Sequence, residues 1–389
     1  MSTVMAQSSA HAIHLVCVVA ARPNLMKMAP ILTALKQLRP ALRLTLVHTG
    51  QHYDEAMNAQ FFDVLGLPAP DILLGVGSGS HAQQTAEVMR RFEPVLAHER
   101  PSAVLVVGDV NSTLACALVA AKMGIPVIHV EAGLRSHDRS MPEEINRLLT
   151  DQLSGLMLTS EPCARINLLR EGHSEAQIAF VGNVMIDSLQ RQLAQATPVS
   201  LIVQRSQQPS LLEQDCGYAV LTLHRPSNVD HKVRLEALMH AIVSLSRRLP
   251  VIFPVHPRTG AMLQQFGLMP LLEIATILVL PPSGYLDMLG LMQEARLVLT
   301  DSGGVQEETT ALGVPCITLR SNTERPITVT EGTNTLAGHD PARMLALCDE
   351  ILLHGGKTGK IPHHWDGKAA GRIAEAVRTW LLQQPASAS

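Results

Sequence analysis

Apolar runs of strand length recur along the chain, separated by longer stretches with a helical spacing of apolar and polar residues. In the first half they are Ile13–Ala20, Leu42–His48, Ala103–Gly108, Pro126–Glu131, Leu156–Ser160 and Ile178–Gly182. In the second half they are Tyr218–Leu223, Val251–His256, Thr276–Leu280, Leu297–Thr300 and Val314–Leu319. Val and Ile dominate many of these runs, and clean alternation is rare. That is the pattern of parallel strands covered on both faces. Helical patterns such as Gln83–His98, Thr113–Met123 and Arg234–Arg248 fall between them. Alternating β and α segments predict a doubly wound α/β architecture.

The β–α alternation is interrupted near Asn183–Gln214, where a helical stretch (Ile186–Gln195) leads into a polar segment with Gln207, Gln208 and Pro209. The expected organisation is therefore an N-terminal Rossmann-like domain over 12–190 and a second over 191–368. A closing helix over 369–384, with Ile373, Ala376, Val377 and Trp380 on one stripe, is able to pack back on the first domain. A length of 389 residues is ample for two such cores.

Composition narrows the class. Apolar residues make up 46% and charged residues 17%, as in an ordinary soluble α/β protein. A net charge of −3 gives no footprint for nucleic acid. Six scattered cysteines without a CxxC pair read as reduced core thiols. The N-terminus lacks a basic n-region, and no apolar run is long enough to span a bilayer, so a cytoplasmic protein is expected. The first dozen residues and the tail 384–389 are expected to be disordered.

In open α/β sheets, ligands bind beyond the carboxyl ends of the strands. The residues that follow the runs here are unusually polar: Arg22 and Lys27, Gln51 and His52, Asp109, Glu131 and Arg135, His224 and Arg225, His256 and Arg258, and Ser302. Two sheets facing across a cleft would gather them. The stretch LVLTDSGGVQEE, Leu297–Glu308, ends a strand in Ser302, Gly303 and Gly304 before a helix expected from Val305. Such a turn suits a phosphate, although a plain capped turn has the same look. Arg22 and Lys27 beside a helix start suit a pyrophosphate. Asp109 and Glu131, at the ends of two neighbouring runs, suit general acid/base work. Glu143, Glu144 and Arg147 share one helical turn after a loop, where Glu143 can supply a third carboxylate. His224, His256 and Arg325 supply further donors. No GxGxxG, Walker lysine motif, HExxH or GxSxG is present.

The ordered motifs ARPNLMKMAPI, TGQHYD, VGDVNSTLA, HVEAGLRS, MPEEINRLLTD, VGNVMID, LTLHRP, PVHPRT, LTDSGGVQEE and TERPITVTEGTN run from Ala21 to Asn334. WDGKAAGRI follows near the C-terminus. Together they resemble the non-hydrolysing UDP-N-acetylglucosamine 2-epimerase family. The resemblance implies two Rossmann-like domains facing a central cleft, an arrangement shared with one large glycosyltransferase class (GT-B-like). It implies a cytoplasmic homodimer acting on a UDP-sugar, without nicotinamide, metal or other cofactor, for surface polysaccharide synthesis. The implied reaction inverts C2 by eliminating UDP to a 2-acetamidoglucal and adding it back.

By the same resemblance Asp109, Glu131 and Glu143 are the proton-transfer carboxylates, with base and acid unassigned, and His224 joins them. Arg22, Lys27, Ser302, Gly303, Gly304, Glu308 and Arg325 match nucleotide-sugar positions, Glu308 toward the ribose. Arg135, Arg147 and His256 are implied supports of the diphosphate or a closing loop, and Ser283 and Met288 line the uracil. Some members bind a second substrate molecule as activator, and Gln51 and His52 are the matching positions here. Asn24 stands where many members have an acidic residue, and Pro226-Ser227 follows His224-Arg225 where many have HRRE. A 2-epimerase of a related uronic or deoxy UDP-sugar, or a glycosyltransferase on the same fold, are the alternatives.

Overall fold

The computed structural model describes residues 13–50, 62, 64–206, 211, 216–274 and 276–384. Gln51 and His52, the polar residues 207–210 and the chain ends 1–12 and 385–389 lie outside the described residues. The chain divides into two compact units. The first comprises Met1–Leu134, Asp138–Val184 and Lys368–Ser389; the second comprises Arg135–His137 and Met185–Gly367.

The first unit is built on a parallel sheet of β1 (His14–Val19), β2 (Arg43–His48), β3 (Ile72–Leu73), β4 (Ala103–Val107), β5 (Val127–Val130), β6 (Leu156–Thr159) and β7 (Ile178–Phe180). The order is β3-β2-β1-β4-β5-β6-β7. This is the doubly wound order, whose switch point lies between β1 and β4. β1, β4, β5 and β6 are buried along their whole length, which is why their sequences do not alternate. Val16, Val18, Val104 and Val106 pack against Val88, Phe92 and Leu96 of the helix His81–Glu99. Each such side chain contributes roughly 1.5–3 kcal/mol on burial.

The closing helix Ala369–Gln383 belongs to this first unit and packs on the helix Arg22–Lys36. Ile373, Ala374, Val377 and Leu381 are its buried stripe. Gly155 admits it: a Cβ there would lie 2.9 Å from the Trp380 ring. Arg372 Nε also donates to the Val181 carbonyl at 2.6 Å.

The second unit repeats the plan with β8 (Ala219–Thr222), β9 (Val251–Pro254), β10 (Ile277–Leu280), β11 (Leu297–Thr300), β12 (Cys316–Thr318) and β13 (Asn334–Leu336), in the order β10-β9-β8-β11-β12-β13. Its switch point lies between β8 and β11. One face is packed by Leu235, Met239, Ile242 and Leu245 of the helix Lys232–Ser246. The other is packed by Leu291, Met292 and Val314. Each unit is thus a Rossmann-like, doubly wound α/β fold.

Two strands escaped the sequence pattern, β3 and β13. They hold two and three residues at sheet edges, with partly exposed side chains, too short for any periodicity to show. The helix expected from Val305 spans Gly303–Leu312 instead. Gly303 and Gly304 are therefore its first residues and not a turn before it. Glycine is a poor helix former, so a propensity reading places it outside. Among the described residues no helix is long and apolar enough to cross a membrane.

Candidate active site

In the first unit, the register pairs Val107 with Val130. Gly108-Asp109 and Glu131 therefore leave the sheet at one level, beside the switch point. Glu131 is 5% exposed and its carboxylate meets Lys27 Nζ at 2.5 Å. Its backbone is left-handed, with φ 72°. A non-glycine residue held there costs of order 1–3 kcal/mol, so the surroundings must impose it. The Glu131 N–H donates to the Leu158 carbonyl at 2.9 Å, and Lys27 holds the side chain.

Asp109 follows Gly108, whose φ of 69° needs glycine. Its side chain is 26% exposed and ion-pairs with the Arg147 guanidinium. Arg147, 2% exposed, also donates to Glu144 Oε2 through Nε at 3.1 Å and Nη2 at 2.6 Å. Asn146 Nδ2 reaches the Asp109 carbonyl at 2.9 Å. The helix Pro142–Leu153 thus holds Asp109 from two successive residues. Glu143 sits half-buried in its first turn.

Arg22 and Lys27 do not share the one face that their spacing suggested. Both lie in the helix Arg22–Lys36, and five residues turn a helix about 140°. Arg22 is exposed at the first helical position, whereas Lys27 is buried against Glu131. Asn24 explains its own departure from an acidic residue. Its Oδ1 accepts from Ala21 N at 3.1 Å and its Nδ2 donates to the Val107 carbonyl at 2.9 Å. A carboxylate cannot make the second bond.

In the second unit, Thr222 pairs with Thr300, so His224 and Asp301 emerge side by side at the switch point. Asp301 is fully buried. It accepts from the N–H groups of His224 (3.1 Å) and Arg225 (3.0 Å), from Asn228 Nδ2 (3.0 Å) and from His224 Nδ1 (2.9 Å). Burial alone would raise its carboxyl; these donors, His224 first, outweigh burial and hold it below the usual range. Nδ1 of His224 is thereby fixed and Nε2 left to face outward, with the side chain 35% exposed. The His256 ring lies 5.6 Å from that of His224. Burial, then His224 and Arg258, lower its pKa. Its side chain caps the helix Pro257–Gln265 by accepting from Arg258 N at 3.2 Å.

Ser302 is the N-cap of the helix Gly303–Leu312, but its side chain makes no capping bond. A Cβ on Gly303 would lie 2.6 Å from Glu324 Oε1, so glycine is required for that approach. Glu324 accepts from Arg320 Nη2 at 2.7 Å. Burial would raise its carboxyl, but Arg325, Arg320 and Arg225 drive it far below the usual range. Arg325, 7% exposed, meets Glu307 at 2.6 Å. Gln306 is fully buried and structural: its Oε1 accepts from Thr323 and Asn334, and its Nε2 donates to the Ser302 carbonyl. Ser283 is half-buried before the helix Tyr285–Gln293, and Met288 packs against one core of this unit. Arg135 is 4% exposed and lies in the short 135–137 segment grouped with the second unit.

Glu308 is the least comfortable carboxylate here. It is buried beside the Tyr285 hydroxyl, with Glu307 adding a second carboxylate nearby. Burial pushes its carboxyl up to about 8; the Tyr285 hydroxyl opposes this and Glu307 adds to it. The folded value lies above the unfolded one, so the chain gives up stability as pH rises from about 4.5 to about 8. Glu308→Gln removes this loss. The variant should match or trail the wild type below about pH 5 and exceed its melting temperature near pH 8, in thermal scans across that range. A pH-independent difference would contradict the assignment.

Residue chemistry alone did not assign a role to Asp301, the orienter of His224. The signal was available, since two adjacent strands both end in polar residues. Spacing points Lys27 toward a diphosphate and the resemblance points Arg147 toward a diphosphate or a closing loop; in the structure their charges meet Glu131, Asp109 and Glu144.

The chain is similar to known proteins over most of its length. The family model described as UDP-N-acetylglucosamine 2-epimerase matches residues 34–378. The chain is 43% identical over 359 residues to a UDP-N-acetylglucosamine 2-epimerase of Methanocaldococcus jannaschii, covering 92% of this chain and 96% of the relative. It is 40% identical over 365 residues to a UDP-2,3-diacetamido-2,3-dideoxy-D-glucuronate 2-epimerase of Pseudomonas aeruginosa, covering 92% and 97%. The crystal structure of Methanocaldococcus jannaschii UDP-GlcNAc 2-epimerase in complex with UDP-GlcNAc and UDP superposes with a TM-score of 0.83 at 41% identity, covering 94% of this chain and 100% of that one.

Proposed function

The chain belongs to the UDP-N-acetylglucosamine 2-epimerase family, and on that premise we propose that it interconverts UDP-N-acetylglucosamine and UDP-N-acetylmannosamine. The observation that carries the reading is the carboxylate pair of partly exposed Asp109 and buried Glu131, at one level on adjacent strands, each held by its own cation. C2–H is not acidic, so its removal needs a fixed base and a stabilised leaving group. A carboxylate takes the C2 proton while the C1–O bond to the diphosphate breaks, giving the 2-acetamidoglucal and UDP. UDP then adds back at C1 as a proton returns to the other face of C2. Asp109, Glu131 and Glu143 serve this proton traffic, with Lys27 and Arg147 holding the first two in place.

The second unit binds the leaving group. The helix start at Ser302, Gly303 and Gly304 offers N–H groups to the diphosphate, with Arg325, His224 and His256 beside it. Arg22 and Arg135 are assigned to the same nucleotide, and Ser283 and Met288 to the uracil. Glu308 accepts the ribose hydroxyls. Those donors favour the ionised carboxylate, so UDP binding near pH 7 should release a proton. Calorimetry in buffers of different ionisation enthalpy measures that proton; a heat independent of buffer would remove Glu308 from the ribose. The working form in this proposal is a cytoplasmic homodimer, and sedimentation showing only monomer would overturn the dimer.

The test uses UDP-N-acetylglucosamine in deuterated water, followed by NMR. The expected products carry deuterium at C2 of a UDP-sugar. Unlabelled substrate after prolonged incubation would sink this reading for that sugar. The relative named as a glucuronate epimerase favours one second reading, the corresponding UDP-diacetamido-uronate. The same experiment with that sugar decides between them, the preferred substrate labelling faster.

A further inference from the structure

A second acid–base pair lies behind the first unit's carboxylates, and the mechanism above does not use it. His129, on β5, and Asp151, on the helix Pro142–Leu153, are both fully buried. His129 Nδ1 lies 2.6 Å from Asp151 Oδ1 and its Nε2 2.8 Å from the Gly108 carbonyl. Asp151 Oδ2 accepts from the Gly133 N–H at 3.0 Å. Gly108 precedes Asp109, and Gly133 lies two residues after Glu131. Gly133 is pinned: its φ is 80°, and a Cβ there would meet the Ala164 carbonyl oxygen at 2.5 Å.

We propose that His129 and Asp151 are positioning residues that clamp the two carboxylate-bearing turns to each other through the chain Gly133–Asp151–His129–Gly108. The inference rests on the proposed reaction for its effect on turnover, but the clamp itself is a matter of donors and acceptors. A carbonyl only accepts, so Nε2 carries hydrogen. Nδ1 of His129 and Asp151 Oδ1 share one hydrogen, so each bond of the chain from Gly133 to Gly108 is made. Both turns are strained or glycine-dependent, and a fixed strut between them keeps Asp109 and Glu131 in register.

The geometry dictates an unusual mutant series. Asp151→Asn preserves all three bonds: its Oδ1 accepts from Gly133, and its Nδ2 donates to Nδ1 of a neutral His129. His129→Gln breaks the chain: with Nε2 donating to Gly108, the amide oxygen is left facing the Asp151 carboxylate. Asp151→Asn added to His129→Gln repairs it, since Asn Nδ2 then donates to Gln Oε1.

The expected kcat is near wild type for Asp151→Asn and about 100-fold lower for His129→Gln, the cost of a small misplacement. The double variant should recover to within about five-fold of wild type, with KM and UDP affinity steady throughout, since the nucleotide is held elsewhere. Amide hydrogen exchange is read on the same proteins without substrate. It should be fast at Gly133 in His129→Gln and slow again in the double variant. A double variant as impaired as His129→Gln in both readouts overturns the clamp, as does unchanged exchange in His129→Gln. If the wild type turns over no UDP-sugar, the functional reading fails and the exchange pattern alone decides the clamp.

Discussion

Glu131→Gln should abolish most turnover, lowering kcat by about 1000-fold, within the 10²–10⁴ range of a lost proton-transfer group. UDP affinity should stay within about three-fold, since the groups assigned to the nucleotide, Arg22 apart, lie in the other unit. The substitution also strands Lys27. Its ammonium meets Glu131 at 2.5 Å with both side chains about 5% exposed. Leaving one member of a buried pair charged and alone costs roughly 3–5 kcal/mol. Glu131→Gln alone therefore mixes lost chemistry with lost stability. Lys27→Met added to Glu131→Gln separates them: the melting temperature should recover substantially while turnover stays low. The cycle is read by calorimetric melting and initial rates on the four proteins. Substantial turnover in Glu131→Gln would remove the carboxylate from proton transfer. Loss of UDP binding in the folded double variant would make it a ligand holder.

Much of the fold was legible because buried parallel strands advertise themselves. Runs such as Ala103–Gly108 and Leu297–Thr300 are apolar throughout, and helical periods fill the intervals. The hidden parts were those whose signal is not local. β3 and β13 are edge fragments of two and three residues that exist by pairing with β2 and β12. The candidate site was legible as a set of strand-end polar residues, but not as a network. Spacing put Lys27 beside Arg22, whereas burial put it beside Glu131; a helix turns its residues to different faces, and only the packing reveals which face is inside. Asp301 reads as an ordinary strand-ending residue until β8 and β11 are paired. The same holds for His129 and Asp151, 22 residues apart.

The glycines that open the helix Gly303–Leu312 give the sharpest test of the nucleotide site, because their substitutions should part company. Alanine at Gly303 meets the Glu324 carboxylate at 2.6 Å. That carboxylate cannot retreat cheaply, being tied to Arg320 at 2.7 Å and flanked by Arg325. Gly303→Ala should therefore lower both the melting temperature and UDP affinity. Among the described residues, alanine at Gly304 finds nothing nearer than the Met185 methyl at 4.0 Å. Without ligand it fits, and replacing glycine inside a helix favours the helix by roughly 0.5–1 kcal/mol. Gly304→Ala should hold or raise the melting temperature. If the diphosphate approaches this backbone, the same methyl group occupies its space and weakens UDP by at least about ten-fold, or 1.4 kcal/mol. Titration calorimetry with UDP, beside a melting curve for each variant, reads both effects. A Gly304→Ala protein that binds UDP like the wild type would leave this stretch a capped strand–helix junction, with Gly303 explained by Glu324 alone. A stable variant with weakened UDP affinity assigns the open helix start to the phosphates, because no contact among the described residues accounts for the loss.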